Sequence, residues 1–376
     1  MDLFIKLLTY INLAGAVHAL IQSGVLCLTK RGNRRAHRFM ALFLIAIAIG
    51  MANGMISLLG LYDRWPALAV LMGSVVLTYH PLFYLYIRAI TAADRRGTLF
   101  DILHGAPFLL GMLIWGAYLS LPAGGTAPSG ILGSVIRSPW YFVLSVSVLQ
   151  SIAYITGIIR LLRKHSERVK SSFSTLDAVN LGWLRRRLLA FIAIWGIGLA
   201  LVAAVRFEAK AMVLVGQIVA FLTALNTFAA GYRAMLQPEI FLGPPEAVPG
   251  RRYERSSLTP DNAVLYKARL LEMMESRRPY LDPEITLPKL AKALDIPVAH
   301  LSRVINDLFG RNFYEFINGY RVEEAKRRLA APGSKRAKLI AVALDCGFNS
   351  LATFNRVFKE LAGRTPSDFR KNQPAA

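Results

Sequence analysis

HLSRVINDLFG, residues 300–310, returns as TFNRVFKELAG, residues 353–363, and the fold of the C-terminal part turns on that return. The offset is 53 positions throughout. Arg303/Arg356, Val304/Val357, Leu308/Leu361 and Gly310/Gly363 are identical pairs, and Asp307/Glu360 match in charge. In each copy apolar residues recur at i, i+3, i+4 and i+7: Leu301, Val304, Ile305 and Leu308, then Phe354, Val357, Phe358 and Leu361. That spacing is one face of an α-helix turning ~100° per residue. The opposite face holds Ala299, Ser302, Arg303 and Asn306 in the first copy and Ala352, Asn355, Arg356 and Lys359 in the second. Small residues let such a face approach a partner closely, and Arg, Asn and Lys hydrogen-bond base edges and phosphates. A face that only meets solvent usually carries more acids and long side chains. The bare pattern leaves both readings open.

The flanks decide between them. Each copy follows a short apolar helix and a tight turn, LPKLAKALDIP (287–297) and KLIAVALDCGFN (338–349), which is helix-turn-helix construction. Gly347 is expected in the left-handed turn conformation and Asn349 at the helix N-cap. Between the copies RNFYEFINGYRVEEAKRRLAAPG (311–333) reads as one helix ended by Pro332-Gly333. Roughly 18 residues at ~1.5 Å each give a spacer of ~27 Å. Two helices in successive major grooves on one face of DNA sit ~34 Å apart.

With those residues in view, LIAVALDCGFNSLATFNRVFKELAGRTPSDFRK (339–371) resembles the C-terminal signature of AraC/XylS-family transcription regulators. The matching features are the alanine-bearing first helix, Gly347-Phe348, Phe354-x-Arg356-x-Phe358-Lys359, Gly363, Pro366 and Phe369-Arg370. Residues 280–329 resemble the rest of that module. The resemblance implies two helix-turn-helix units on successive major grooves of double-stranded DNA, with RNA polymerase a further partner of such regulators. Carried over by position, the base-facing residues are Ala299, Ser302, Arg303, Ala352, Asn355 and Arg356, and Asn306 and Lys359 meet phosphate. The family's familiar sugar-binding domain has no counterpart here.

What replaces it is apolar. Hydrophobic residues make up 54% of the 376-residue chain, yet its formal net charge is +22. Residues 1–250 hold 22 Lys+Arg against 9 Asp+Glu, and residues 251–376 hold 23 against 14. Basic charge suits anionic lipid in the first part and phosphate in the second. Seven stretches, roughly 3–29, 39–61, 67–90, 102–121, 139–162, 188–205 and 211–232, approach the ~20 residues that a bilayer core requires. FMALFLIAIAIGMANGMISLLGL (39–61) has no charge at all, unlike a soluble core helix.

Loop charge gives the orientation. Lys30, Arg31, Arg34, Arg35, Arg38, Arg95, Arg96, Arg160, Arg163, Lys164, Arg168, Lys170, Arg185, Arg186 and Arg187 fall on alternate loops. The other loops carry Arg64, Arg137, Arg206 and Lys210. Fifteen against four predicts the N-terminus outside and, across an odd number of spans, the C-terminus in the cytoplasm. MDLFIKLLTYINLAG lacks a positive leader and a basic cluster follows it, so it reads as a span and not a removable leader.

The expected architecture is therefore all-α. A seven-helix membrane bundle (1–236) precedes a Pro/Gly/Arg-rich linker (237–256) and a cytoplasmic double helix-turn-helix domain (257–376). Pro238, Pro244, Pro245 and Pro249 forbid a long helix in the linker, where a signal would travel by tension, orientation or dimer contacts. In NAVLYKARLLEMMESRRPYL (262–281), Val264, Leu265, Ala268, Leu271 and Met274 form a stripe for packing on the module or on a second copy. Polar residues inside spans are functional candidates. Hydrogen bonds between helices account for most of them, and the sharper reading is a pocket for a small-molecule or lipid signal using His18, Gln22, His80 or Gln217. Pro81 predicts a kink in the third span.

No HxxH, HxxxH, HExxH, P-loop or GxGxxG occurs, and Cys27 and Cys346 give neither a disulfide framework nor a metal spacing. The expectation is no catalytic residue, no metal and no cofactor. It adds up to a membrane-bound, one-component transcription regulator of a bacterial inner membrane. The competing reading is a membrane transporter or enzyme with a regulatory DNA-binding tail.

Overall fold

The structure is a computed structural model that describes residues 2–29, 33–91, 100–121, 133, 135–136, 139–175, 181–204, 209–236, 258–331 and 337–372. Among these residues it is helical throughout, with one isolated antiparallel bridge. The chain divides into two compact units, 1–163 with 181–243, and 164–180 with 244–376. The linker positions 237–256 lie outside the described residues.

The first unit is built from long apolar helices: α1 (Asp2–Leu28), α2 (Arg34–Leu58), the single turn α3 (Leu61–Arg64), α4 (Ala67–Val75), α5 (Tyr79–Thr91), α6 (Phe100–Leu103), α7 (Ala106–Leu119), α8 (Pro139–Lys170), α9 (Gly182–Ala204) and α10 (Ala209–Leu236). Six helical stretches among the described residues, 3–28, 34–58, 67–91, 100–119, 142–170 and 213–232, are long and apolar enough to cross a membrane. The expected seventh, 188–205, lies in α9, which is helical for 23 residues but is not one of those six.

Local chemistry explains the element ends. Asn33 caps α2, its side chain accepting from the backbone N–H of Arg35 and Ala36 while its amide donates to Ala89 O at 2.7 Å. The third apolar stretch breaks where Pro81 predicts: a 3₁₀ turn, Val76–Thr78, separates α4 from α5. Proline offers no N–H to the carbonyl four residues earlier, here Leu77, and its ring crowds it. The core gathers Ala36, Leu44, Ile47, Ile87 and Leu184. Large apolar side chains also point outward: Leu3 is 81% and Leu113 70% exposed, the surface expected of helices that meet lipid rather than water. Arg35 and Arg88 both pair with Asp101 at the ends of α2, α5 and α6, which gives Arg88 a partner.

The second unit contains α11 (Pro260–Ser276), α12 (Leu287–Leu294), α13 (Val298–Phe309), α14 (Phe313–Ala330), α15 (Leu339–Asp345), α16 (Leu351–Ala362) and α17 (Pro366–Lys371). The expected spacer is α14, 18 residues long and started by a reciprocal cap between Asn312 and Glu315. It serves two cores. Phe313, Phe316 and Ile317 pack with Leu290, Leu301 and Val304 around α12 and α13. Tyr314, Val322, Ala325 and Leu329 pack with Val342, Phe354 and Phe358 around α15 and α16. A helix apolar on opposite faces fits between two layers.

Three sequence expectations shift. The α16 cap is Ser350, whose side chain accepts from Thr353 N–H, and not Asn349. Leu308 and Leu361, last in their stripes, are 40% and 45% exposed, because each α-helix ends a residue or two later at a left-handed glycine and its final turn overhangs the core. In α11 the buried residues are Leu270 and Met274, with Ala263, Tyr266 and Met273 packed beside them, while Val264 and Leu265 face outward. The helix docks on its own module along a stripe one residue out of the expected register.

Candidate nucleic-acid interface

Each helix pair is a short helix, a left-handed turn residue and a 12-residue second helix. In the first pair Asp295 takes the turn at φ +53°, a conformation that Asp tolerates better than most residues. In the second it is Gly347 at φ +84°. Glycine is required there on two grounds. A Cβ at 347 would lie 2.6 Å from Tyr280 O and 2.9 Å from Leu281 O, both backbone atoms that cannot move aside. α13 and α16 both end at a left-handed glycine, Gly310 and Gly363, so the sequence repeat is a structural repeat.

The eight residues proposed for DNA lie as follows. Ala299, Arg303 and Asn306 on α13 and Ala352, Asn355, Arg356 and Lys359 on α16 are exposed, and Ser302 is half-buried. Asn306 Nδ2 is 3.5 Å from Ser302 Oγ. The two arginines have equivalent settings: Arg303 Nε lies 3.7 Å from Asp307 and Arg356 Nη1 3.4 Å from Glu360, each four residues on, with both arginine side chains more than half exposed. Such pairs are weak and readily exchanged for a stronger anion. Arg356 has one contact more, donating Nη2 to the Tyr314 hydroxyl at 3.1 Å. Tyr314 sits in the first turn of α14, so the spacer helix aims the second arginine. Nothing in the 53-residue repeat signals this, since the contact is 42 positions away in sequence.

Sequence reasoning also missed Arg321. It is fully buried in α14, and its hydrogen bonds go to backbone carbonyls rather than to a carboxylate: Nε donates to Tyr280 O at 2.7 Å and Nη2 to Asp282 O at 2.8 Å. Its guanidinium carbon stands 5.7 Å from the centre of the Phe348 ring, in the turn of the second pair. Burial lowers its pKa to about 10, which leaves it charged at neutral pH. The arginine therefore ties the segment before the first pair to the turn of the second. Lower on α14, Glu324 pairs with Arg327 at 2.6 Å and Arg328 at 2.8 Å, and Arg328 reaches Asp345 at 3.2 Å. Burial raises the Glu324 pKa, but the hydrogen bond from Arg328 and the neighbouring arginine charges outweigh it and hold the carboxyl below its ordinary value. Cys346 is fully buried, which pushes its thiol up to about 12. A protonated, covered thiol is a poor redox switch.

Of the four residues considered for a signal pocket, His18, Gln22 and Gln217 lie along the α1–α10 seam, and His80 lies on α5 beside α8 and α9. His18 meets Phe228 edge-on at 4.7 Å. His80 Nε2 lies 2.8 Å from Ser151 Oγ. Gln217 is bound to Asn12, whose amide donates to Gln217 Oε1 at 2.5 Å and to its carbonyl at 3.1 Å. Gln22 Oε1 is buried beside Gly231. A cavity of about 330 Å³ in the first unit has Met51, Tyr79, Trp140, Trp195 and Gly216 among its walls, and none of these four.

Residues 290–372 match a helix-turn-helix domain family. The chain is 27% identical over 128 residues to uncharacterized HTH-type transcriptional regulators of Staphylococcus aureus strains COL and N315. That stretch is 34% of this chain and 16% of each relative. It is 37% identical over 73 residues to the probable transcription factor PqrA of Proteus vulgaris, 19% of this chain and 57% of that protein. No solved structure matches. The second unit thus carries a helix-turn-helix domain of the AraC type, downstream of helices apolar enough to span a membrane.

Proposed function

We propose that the protein is a sequence-specific, DNA-binding transcription regulator held in a bacterial inner membrane, with its helix-turn-helix domain in the cytoplasm. The reading rests on one observation above the others: α13 and α16 present the same face twice, each with a small residue, a neutral polar residue and an exposed arginine whose acid lies four positions on. Two such faces on one rigid spacer fit two successive major grooves. Ala299, Ser302, Arg303, Ala352, Asn355 and Arg356 read bases, and Asn306 and Lys359 meet phosphate. The apolar helices, their outward leucines and the basic loops support a bilayer as the second partner. The names of the matched relatives support transcription rather than transport or catalysis. A small-molecule or lipid signal acts on the apolar half.

Mapping the DNA bound by the full chain in cells tests this, with transcript profiling of a deletion strain. Discrete bound sites next to transcripts that change on deletion are expected. DNA bound without any change in transcripts would make the protein a chromosome tether instead.

A further inference from the structure

The second unit has a component that does not come from the C-terminal part of the chain. Residues 164–180, the last turns of α8 and the segment that follows it, belong to it. Val169, at the end of α8, is 7% exposed and packs in the core around Phe354 and Phe358, with Phe173 beside it. Residues 172–175 then run along the segment that leads into the first helix pair. Phe173 and Thr286 form an antiparallel bridge. Leu287 N–H donates to Ser172 O at 3.0 Å, Ser174 Oγ to Ile285 O at 2.8 Å, and Thr175 Oγ1 to Pro283 O at 3.0 Å. On its other side the strand meets α14: Asn318 Nδ2 donates to Ser174 O at 3.0 Å and Arg321 Nη2 to Ser174 Oγ at 3.3 Å. Ser174 is 2% exposed.

Four features make this a built contact. Backbone pairing at residues 172 and 173 is followed by side-chain bonds from residues 174 and 175. Both helix-turn-helix cores take part, the first through residues 283–287 and the second through Val169 and Phe173. The buried arginine that links the two pairs spends one of its donors on this strand. And α8 is a single helix from Pro139 to Lys170, so the strand is covalently continuous with an apolar helix of the first unit.

We propose that residues 169–175 are a docking strand by which the apolar half grips the DNA-binding module, and that a displacement of α8 reaches both helix pairs here, at Arg321, without passing through residues 237–256. The proposal deepens the function given above and rests on it. Its surface is the groove between residues 280–287 and α14, and its occupant is this chain's own extended segment. It gives the apolar half a second hold on the module, where the sequence suggests a linker alone.

The test uses the full chain in membrane vesicles with a protease site placed in residues 245–250 and Cys27 replaced by Ala. Cys346 stays, being buried. Residues paired across an antiparallel bridge have Cα atoms ~4.5–5.5 Å apart, inside the ~4.4–6.8 Å range of disulfides. F173C/T286C should therefore cross-link with copper phenanthroline, and the two cleavage fragments should run as one band until reduced. F173C alone should leave the two fragments as separate bands. Without added cysteines, the cleaved module should stay on the vesicles, and Phe173→Ala with Ser174→Ala should speed its release at least tenfold, the scale of one or two lost hydrogen bonds before the half-buried Phe173 ring is counted.

Prompt release of the unsubstituted module after cleavage overturns the proposal, and it decides the matter even if the double-cysteine chain does not fold. Specific-site binding is measured on the same vesicles. Release with intact site binding sinks the docking strand alone; docking without any site binding sinks the function reading and leaves the strand standing.

Discussion

Replacing Arg356 by Ala separates base reading from charge. The guanidinium is 53% exposed in its side chain and has two protein contacts, Tyr314 Oη at 3.1 Å and Glu360 at 3.4 Å. The ion pair is solvated and i,i+4, so it contributes at most about 0.5 kcal/mol to the fold. The tyrosine bond is also partly solvated and adds less than about 1 kcal/mol. The variant should therefore melt within a few degrees of the parent. Binding changes much more. An arginine bidentate to a guanine supplies ~1–3 kcal/mol of discrimination, which is roughly a 5- to 150-fold loss at the preferred site. On random duplex Arg356 is at most one phosphate contact, and removing it should weaken binding no more than about threefold and flatten the salt slope by no more than about one.

Tyr314→Phe provides the intermediate case. It keeps the arginine but frees it from its hydroxyl, and should cost about threefold at the preferred site with no change on random duplex. The assay is fluorescence anisotropy of the detergent-solubilised full chain on both duplexes at two salt concentrations. Equal losses on both duplexes for Arg356→Ala, with a slope change near one, would refute base reading and leave Arg356 as a phosphate contact.

Arg321→Met strands the buried carbonyls of Tyr280 and Asp282, and two lost charge-assisted bonds predict a loss of ~3 kcal/mol, read as a fall in melting temperature of roughly 10 °C. Gly347→Ala combines a left-handed backbone with a Cβ 2.6 Å from Tyr280 O, so destabilisation by ~2–4 kcal/mol is expected in urea unfolding. Glu324 has a folded pKa below its ordinary 4.5, so its stabilisation is complete above the unfolded value and fades as pH falls through the folded one. The stability gap between the parent and Glu324→Gln should then be widest near neutrality and close below pH 4.5, measured by urea unfolding at each pH.

Much of the C-terminal unit was legible because its information is local. Helix periodicity gave α13 and α16, the single segment ended by Pro332-Gly333 gave α14, and a glycine marked the turn at Gly347. The misses are of two kinds. Ser350 and Asn349 are adjacent residues of equal capping ability, so the backbone at Ser350 and not the residue type decided the cap. The α11 stripe moved by one because Tyr266 stacks on buried His300, a choice made by tertiary packing. Nothing local could have revealed residues 172–175 or Arg321. SSFST reads as an ordinary polar loop, and its bridge to Thr286 spans more than a hundred residues. An arginine bound to backbone carbonyls leaves no partner residue in the sequence. In the apolar half, length and hydropathy found the helices, and Pro81 its break. Polar residues in apolar helices also serve to pair helices, as Asn12 and Gln217 do.

Everything here depends on a membrane-held chain whose paired helices reach DNA at chosen sequences. Cross-linking intact cells, isolating the membrane fraction, and sequencing the DNA recovered with the full chain measures both halves at once. Discrete peaks that vanish with Arg303→Ala and Arg356→Ala, while the protein stays in that fraction, are the expected result. Membrane-bound protein with featureless DNA, or a reporter fused after Ala376 that works only outside the cytoplasm, would contradict it.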